Sequence, residues 1–196
     1  MKLKNKPKNP TDLRSLLGSG LVDTLVKRWL ILQYFIKSTA SPFVRITPLL
    51  KLLSRLFMLV KVYRRYAYSY RNFRVGAILI EDLNLPNPRI FGGSNVKLNL
   101  YTQPQCAELR ALAKARRQKC KKISIIITCG PPQHDDRSGN DTLTLHPCGY
   151  CRETLRHLIK EGLVGLDTLV VTLHPSRTFF EVQTVEQLLR LHGHIK

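Results

Sequence analysis

The chain of 196 residues is long enough for one domain of ordinary size and an extension, and its 43% hydrophobic and 23% charged residues exclude wholesale disorder. Its 32 Lys and Arg against 13 Asp and Glu give a net charge of +19, an excess that attracts polyanions. Five cysteines, an odd number, argue against a secreted disulfide framework, and neither a secretory signal nor a membrane-spanning stretch is visible. We therefore predict a cytoplasmic protein, with import into an organelle left open by the acid-poor, basic N-terminus.

The N-terminal third carries most of the charge excess. Residues 1–70 hold fourteen Lys and Arg against two acidic residues, a balance of +12. A helical pattern begins at Thr11, the predicted N-cap, and is interrupted by Pro42 and Pro48. We predict that residues 1–47 form a basic, partly helical extension, suited to bind nucleic acid or an anionic membrane surface.

A further helix is predicted over Leu49–Tyr63, where basic residues are set among many leucines. Two interpretations stay open for it. The helix packs on a core with its basic edge in solvent, or it lies on a membrane surface or a polyanion. From Asn72 onwards the pattern changes to strands alternating with helices, and we place the folded domain at residues 48–196.

Apolar, β-branched runs alternate with helical runs through this domain. The predicted strands are Phe73–Glu81, Ile90–Val96, Ile123–Thr128 and Leu166–Leu173. The predicted helices are Cys106–Cys120, Cys148–Lys160 and Thr184–Leu191. This order predicts an α/β fold, a three-layer α/β/α sandwich around a mixed sheet.

Three cysteines stand where predicted helices begin. Cys106 opens one helix, and Cys148 opens another with Cys151 three residues later on the same helical face. The positive end of a helix dipole and the free N–H groups there favour thiolate over thiol. Three thiolates can hold a Zn²⁺ ion and leave its fourth position open, as a catalytic zinc site requires.

Glu108 lies two residues after Cys106, and Pro147 immediately precedes the C-x-x-C pair. A first ligand followed by x-E and then P-C-x-x-C is the signature of zinc nucleobase deaminases, in which the glutamate moves protons and does not bind the metal. Zinc lowers the pKa of a water, and Glu108 would carry its proton to the ring nitrogen and the departing amine. Two alternatives stay open: a structural zinc site with Cys129 or Cys120 as its fourth ligand, and ordinary buried thiols.

Across about two-thirds of the chain the sequence resembles the cytidine deaminase family, specifically its small homotetrameric members. Tyr68–Ala77 resembles the family's Y-S-x-F-x-V-G-A with two additional residues between Ser and Phe, and Ile90–Val96 resembles its I-F-x-G-x-N-[VI]. The family's spacing of eleven residues from that Asn to the first zinc cysteine is kept between Asn95 and Cys106. The C-A-E-L that begins at Cys106 is similar to that of blasticidin-type deaminases.

The resemblance implies a mixed five-stranded sheet flanked by helices, a bound Zn²⁺ ion and a homo-oligomer. It implies that Phe73 lies against the pyrimidine, that Asn95 contacts the ribose and that Glu108 is the proton shuttle. It further implies that the Ala107 N–H and the Pro147 carbonyl contact the base. The implied reaction is deamination of a small nucleoside, cytidine or deoxycytidine, to uridine or deoxyuridine.

Several positions depart from the family pattern, and they bear on the substrate. Lys97 stands where the family has a Glu that grips a ribose hydroxyl, and a cation there suits a phosphate. Leu109 stands where an Arg usually offsets the charge of the zinc site, a role that Arg110 or Arg152 could take. The family's C-terminal aromatic residue is absent, and His192 lies in that region.

These departures leave alternatives to a nucleoside deaminase open. One is a deaminase of phosphorylated or polymeric (DNA or RNA) cytosine substrates, and another is an enzyme for a blasticidin-like aminopyrimidine. A third is a non-catalytic protein that keeps the fold and binds polyanions.

Overall fold

The computed structural model describes residues 11–12, 47–69, 72–99, 105–132, 134–135, 140–141, 144–176 and 180–195. The predicted extension over residues 1–47 therefore lies almost wholly outside the described residues. Its Thr11 and Asp12 form a short strand, β1, and not the first turn of the helix that we predicted. They pair antiparallel with Ile90 and Arg89, so sheet hydrogen bonds replace helical ones there.

The described residues contain four helices and ten strands. The helices are α1 (Thr47–Arg65), α2 (Ala107–Arg117), α3 (Gly149–Lys160) and α4 (Val185–Leu191). The strands are β1 (Thr11–Asp12), β2 (Tyr68–Ser69), β3 (Gly76–Glu81), β4 (Arg89–Ser94), β5 (Val96–Lys97), β6 (Ile123–Cys129), β7 (His134–Asp135), β8 (Asn140–Asp141), β9 (Val164–Leu173) and β10 (Phe180–Thr184).

The main sheet has the strand order β1-β4-β3-β6-β9-β10. Strands β6 and β9 pair in parallel and the other neighbours pair antiparallel, so the sheet is mixed. The five longer strands form the predicted five-stranded sheet, and the two-residue β1 adds to its β4 edge. The other two pairs, β2 with β5 and β7 with β8, stand apart from it.

Each face of the sheet is covered by helices, as the alternation of side chains on β3 shows. Ile78 and Ile80 pack with buried residues of α1, including Leu56 and Val60. Leu79 points the other way, into a cluster formed with α2, α3 and α4. The predicted three-layer α/β/α sandwich is therefore confirmed. The face of α1 that carries Leu56 and Val60 is part of the core. For this face the core-packing interpretation of the helix is correct.

Several predicted boundaries were wrong, and tertiary contacts or backbone geometry explain three of them. The strand expected from Phe73 begins at Gly76, because residues 73–75 are held by the Asn95 side chain. The strand expected over Ile90–Val96 is Arg89–Ser94, since Val96 leaves the main sheet to pair with Tyr68. The helix expected to reach Cys120 ends at Arg117, where the backbone turns through Lys119 at a φ of 54°.

Strand β10, Phe180–Thr184, was not predicted, although Phe180 and Val182 alternate with polar residues and pack against the core beneath α1. Thr184, the predicted first residue of the last helix, is the N-cap of α4 and forms a capping box with Gln187. Within the described part of the chain, no helix is long and apolar enough to cross a membrane.

Candidate metal centre and active site

Two helix N-termini meet at one end of the sheet and present the predicted zinc ligands. Cys106 is the N-cap of α2, Cys148 is the N-cap of α3, and Cys151 lies in the first turn of α3. Neither N-cap thiol makes a capping hydrogen bond to its own helix. The two thiols are directed instead toward each other, with a distance of 3.5 Å between their Sγ atoms.

The three Sγ atoms of Cys106, Cys148 and Cys151 lie within 4.8 Å of one another. Tetrahedral thiolates about 2.3 Å from zinc stand roughly 3.8 Å apart, so this donor set fits the ion. The other two cysteines lie elsewhere, Cys129 in the core beneath α1 and Cys120 in the core beneath α2. Neither is part of the metal-binding group. Among the described residues this group therefore offers three ligands, and the fourth coordination position of zinc is left for water.

The electrostatics of the cluster favour a thiolate at the start of α3. Hydrogen bonds from the Cys106 and Cys151 thiols lower the pKa of Cys148, and N–H groups of the first turn of α3 act in the same direction. The shared hydrogen bonding raises the pKa of Cys106 and Cys151.

Glu108 lies in the first turn of α2 and lines the same cavity as Cys106 and Cys148. Burial, with a further contribution from the negative charge of Cys148, raises the pKa of Glu108 to about 7. A carboxyl group poised near neutrality can both accept and release a proton at physiological pH. The geometry thus brings together the metal ligands and the predicted proton shuttle.

A cavity of about 550 Å³ opens beside the cluster, within the size range of small-molecule sites. Of the predicted substrate contacts, four line this cavity: Phe73, Asn95, Lys97 and Ala107. Pro147 does not line it. Its carbonyl oxygen accepts a hydrogen bond of 2.6 Å from the Arg152 guanidinium, so one lone pair of the predicted base contact is already engaged.

The Asn95 side chain holds the segment that carries Phe73. Its Oδ1 accepts a hydrogen bond of 2.7 Å from the Val75 N–H, and its Nδ2 donates one of 2.7 Å to the Phe73 carbonyl. Asn95 therefore orients the wall of the cavity, whether or not it also contacts a ribose.

The two arginines considered as counter-charges lie at different places. Arg152 reaches the Pro147 carbonyl, next to Cys148. Arg110 donates to the side chain of Gln105, which lines the cavity one residue before Cys106. Arg152 is thus the arginine that contacts the backbone of the ligand-bearing loop.

Sequence reasoning missed His146, which lines the cavity two residues before Cys148. Its Nε2 lies 3.2 Å from Glu181 Oε2, and Thr144 also donates to that carboxylate. Burial acts to raise the pKa of Glu181, but the hydrogen bonds from His146 and Thr144 outweigh it, and the pKa lies below its ordinary value. The position of His146 just before the P-C-x-x-C was the available signal, whereas Glu181 lies on the unpredicted β10.

A three-thiolate cluster with an open position and an adjacent carboxyl group belongs to the class of zinc-dependent hydrolases that deaminate nucleobases. Residues 51–175 match the cytidine and deoxycytidylate deaminase zinc-binding region, and the chain belongs to this family. The predicted family and zinc as the cofactor are thereby confirmed.

Among solved structures, the chain is similar to a cytidine deaminase from Burkholderia pseudomallei, with 27% sequence identity and a TM-score of 0.53 over 69% of this chain and 94% of that one. Cytidine deaminases from Mycobacterium leprae and Mycobacterium tuberculosis are each 24% identical. Their TM-scores are 0.47 and 0.46, covering 67% and 66% of this chain and 92% and 87% of theirs. No curated protein sequence matches the chain.

Proposed function

We propose that the protein deaminates cytidine or deoxycytidine hydrolytically, producing uridine or deoxyuridine and ammonia. The observation that carries the proposal is that Glu108 and two of the three cysteine ligands line one cavity of nucleoside size. The similarity to the Burkholderia pseudomallei cytidine deaminase supports the same reaction.

Cys106, Cys148 and Cys151 would hold zinc, which supplies Lewis-acid activation of water when bound. The Glu108 carboxylate takes a proton from the attacking water and delivers it to N3 of the ring as a C–O bond forms at C4. Glu108 then carries the proton of the new hydroxyl to the amino group, the C4–N bond breaks and ammonia leaves. One water is consumed and the carboxylate is regenerated.

The remaining cavity residues would bind and orient the base. Phe73 provides an apolar wall that is held in place by Asn95. Ala107 is the first residue of α2, where a backbone N–H has no partner within the helix, so its N–H can bind the pyrimidine O2. Pro147 does not line this cavity, but its carbonyl follows the lining residue His146 and keeps a second lone pair that can accept from the amino group.

A second candidate substrate is a phosphorylated or polymeric cytosine, and Lys97 favours it. Among the described residues that line the cavity, Lys97 is the one lysine or arginine. A lysine ammonium is a compact point charge that binds phosphate oxygens well.

A substrate panel tests both candidates. The purified protein is incubated with cytidine, deoxycytidine, CMP and single-stranded DNA, and release of ammonia and formation of uracil are followed. We expect turnover of the nucleosides that is lost in Glu108→Ala with zinc retained.

Turnover of CMP or DNA alone would reject the nucleoside proposal in favour of the second candidate. In that case Lys97→Gln should lower kcat/KM for CMP and leave an uncharged substrate unaffected. Absence of all turnover, together with tight, salt-sensitive binding of polyanions, would indicate a non-catalytic protein. The homo-oligomer stays a prediction, which sedimentation velocity would test.

A further inference from the structure

The chain turns sharply after α4 and brings two histidines into contact with His146 and Arg152, beside the segment that carries Cys148. The Gly193 N–H donates to the Arg190 carbonyl and the His194 N–H donates to the Leu189 carbonyl, the two hydrogen bonds of a Schellman motif. Gly193 has a φ of 68°, which the motif requires and which glycine adopts without strain. The turn therefore places His192 and His194 on either side of a glycine, with a backbone path that the sequence itself specifies.

The first of these histidines contacts the residue before Pro147. His192 is 92% buried, and its Nε2 lies 3.2 Å from His146 Nδ1. The Glu181 carboxylate can only accept a hydrogen bond. His146 Nε2, which faces that carboxylate, therefore carries a hydrogen. The ring contacts Glu181 through Nε2 and His192 through Nδ1, so it is held from both sides.

The second histidine contacts the arginine that holds Pro147. Arg152 donates from Nε to His194 Nε2 over 3.0 Å and from Nη1 to the Pro147 carbonyl over 2.6 Å. With its Nε2 as acceptor, His194 carries its hydrogen on Nδ1, which lies 3.7 Å from the Glu153 carboxylate. The guanidinium thus links His194 to the peptide immediately before Cys148.

Both series of contacts end on a residue just before the predicted zinc ligand Cys148, one on His146 and the other on Pro147. His192 acts on His146, and His194 acts through Arg152 on Pro147. Groups hydrogen-bonded directly to a metal ligand orient it, and their loss typically costs about 10- to 100-fold in metal affinity. These histidines act one step further from the ligand, so we expect an effect at the lower end of that range. We propose that His192 and His194 are positioning residues that hold the 146–148 segment, and so the Cys148 thiolate, in the geometry that binds zinc.

Zinc affinity of the folded apoprotein tests the proposal, measured by competition with a chelator. His194→Lys removes the acceptor for Arg152, and His192→Phe keeps the ring shape without its nitrogens. We expect each variant to bind Zn²⁺ about 10-fold more weakly. We also expect the visible absorption spectrum of the Co²⁺-substituted protein to change, since it reports the geometry of the thiolate ligands.

Two further variants separate positioning from a general effect on folding. His194→Gln retains an acceptor oxygen, so it should restore most of the zinc affinity that His194→Lys loses. His157→Ala removes an exposed histidine from the last turn of α3 and should bind zinc as the wild type does. A positioning role predicts that zinc affinity differs between the Lys and Gln variants at residue 194 even when their free energies of unfolding are equal. A purely structural role predicts equal zinc affinities in that case.

The proposal is overturned if folded His194→Lys and His192→Phe both bind zinc within twofold of the wild type with unchanged Co²⁺ spectra. If His192→Phe does not fold, equal zinc affinities of the Lys and Gln variants at residue 194 overturn it. The inference rests on the zinc site of the proposed function and not on the deamination reaction. A wild-type protein that binds zinc but deaminates nothing would refute that function, and the zinc affinities would still decide the role of the histidines.

Discussion

The backbones of Gly93 and Ala107 lie in direct contact. A Cβ atom on Gly93 would stand 2.1 Å from the Ala107 carbonyl oxygen and 2.6 Å from the Ala111 nitrogen. Strand β4 therefore has no side chain where the first turn of α2 crosses it. This close approach determines where Cys106 and Glu108 lie relative to the sheet.

The contact predicts that Gly93→Ala displaces α2, since backbone atoms cannot rotate away as a side-chain tip can. We expect the free energy of unfolding to fall by about 1–3 kcal/mol and zinc to bind more weakly. Gly149→Ala is the matched control, because a Cβ there meets nothing nearer than 3.8 Å. Urea denaturation and zinc titration of both variants check this, and an equal response of the two would contradict it.

Lys119 follows α2 in the left-handed region, with a φ of 54°. Its N–H and that of Cys120 make the two hydrogen bonds of a Schellman motif, in which glycine is the favoured residue. We expect Lys119→Gly to raise the free energy of unfolding by about 0.5–1 kcal/mol, since it removes the strain.

The equivalent position after α3 is Gly162, at a φ of 74° with open space around it. Gly162→Ala should therefore lower the free energy of unfolding by about 1 kcal/mol through backbone strain alone. Opposite signs for the two substitutions, measured by urea denaturation, are the expected result. A loss of stability in Lys119→Gly would show that strain is not the governing term.

The buried Glu81 pairs with Arg89, whose Nε donates to the carboxylate over 2.8 Å. Burial acts to raise the pKa of Glu81, but the hydrogen bonds and charge of Arg89 outweigh it and hold the pKa below its ordinary value. The contribution of this ion pair to the free energy of unfolding is thus fully present above the ordinary pKa of a glutamate. It is lost as the pH falls through the lowered pKa of Glu81.

We expect Glu81→Gln to be less stable than the wild type at pH 7 and to have a flatter acid limb in its stability profile. Thermal unfolding between pH 3 and 7 measures both. The exposed pair Glu186–Arg190 provides the comparison, since Glu186→Gln should change stability little. Parallel profiles for the wild type and Glu81→Gln would refute the assignment.

Removal of the carboxylate at residue 108 should separate chemistry from metal binding. Because Glu108 is not among the proposed ligands, Glu108→Gln is expected to retain one zinc ion per chain. Its kcat on cytidine should fall by at least about 100-fold, the usual contribution of a proton-transfer group. Metal analysis and steady-state kinetics on the same preparation check this, and loss of zinc would show that residue 108 supports the metal directly.

Two buried cysteines provide a matched test of the ligand set. Cys151→Ala should abolish stoichiometric zinc, because two thiolates remain. Cys129→Ala should retain zinc and lose only packing in the core beneath α1. Metal content and Co²⁺ absorption of the two variants distinguish them, and zinc loss in both would indicate a role for Cys129 that its position does not suggest.

The candidate zinc ligands and the candidate proton shuttle could be picked out from the sequence because their relationships are local. Cys148 and Cys151 share a helical face through a three-residue spacing, and Glu108 falls in the first turn of a helix that begins beside Cys106. Helix ends were equally readable where a single residue type specifies them, as Gly162 does after α3.

Long-range packing decided what the sequence could not. Cys106 and Cys148 are 42 residues apart in the chain, yet their thiols are in contact. The packing of α2 on Gly93 helps to place Cys106 there. Packing also places Cys120 and Cys129 in cores on opposite faces of the sheet. The spacing of cysteines along the chain alone could not distinguish these thiols.

The half-buried strand β10 shows the same limit: Phe180 and Val182 alternate with polar residues, but this period does not indicate which distant groups the strand meets. It nevertheless brings Glu181 to His146, while the turn at Gly193 brings His192 to the other side of that ring. Local sequence thus determined the chemical groups of the zinc site, because spacing and helix ends depend on neighbouring residues. Only the tertiary structure decided which distant groups surround them, because contacts between separate elements depend on how their side chains and backbones pack together.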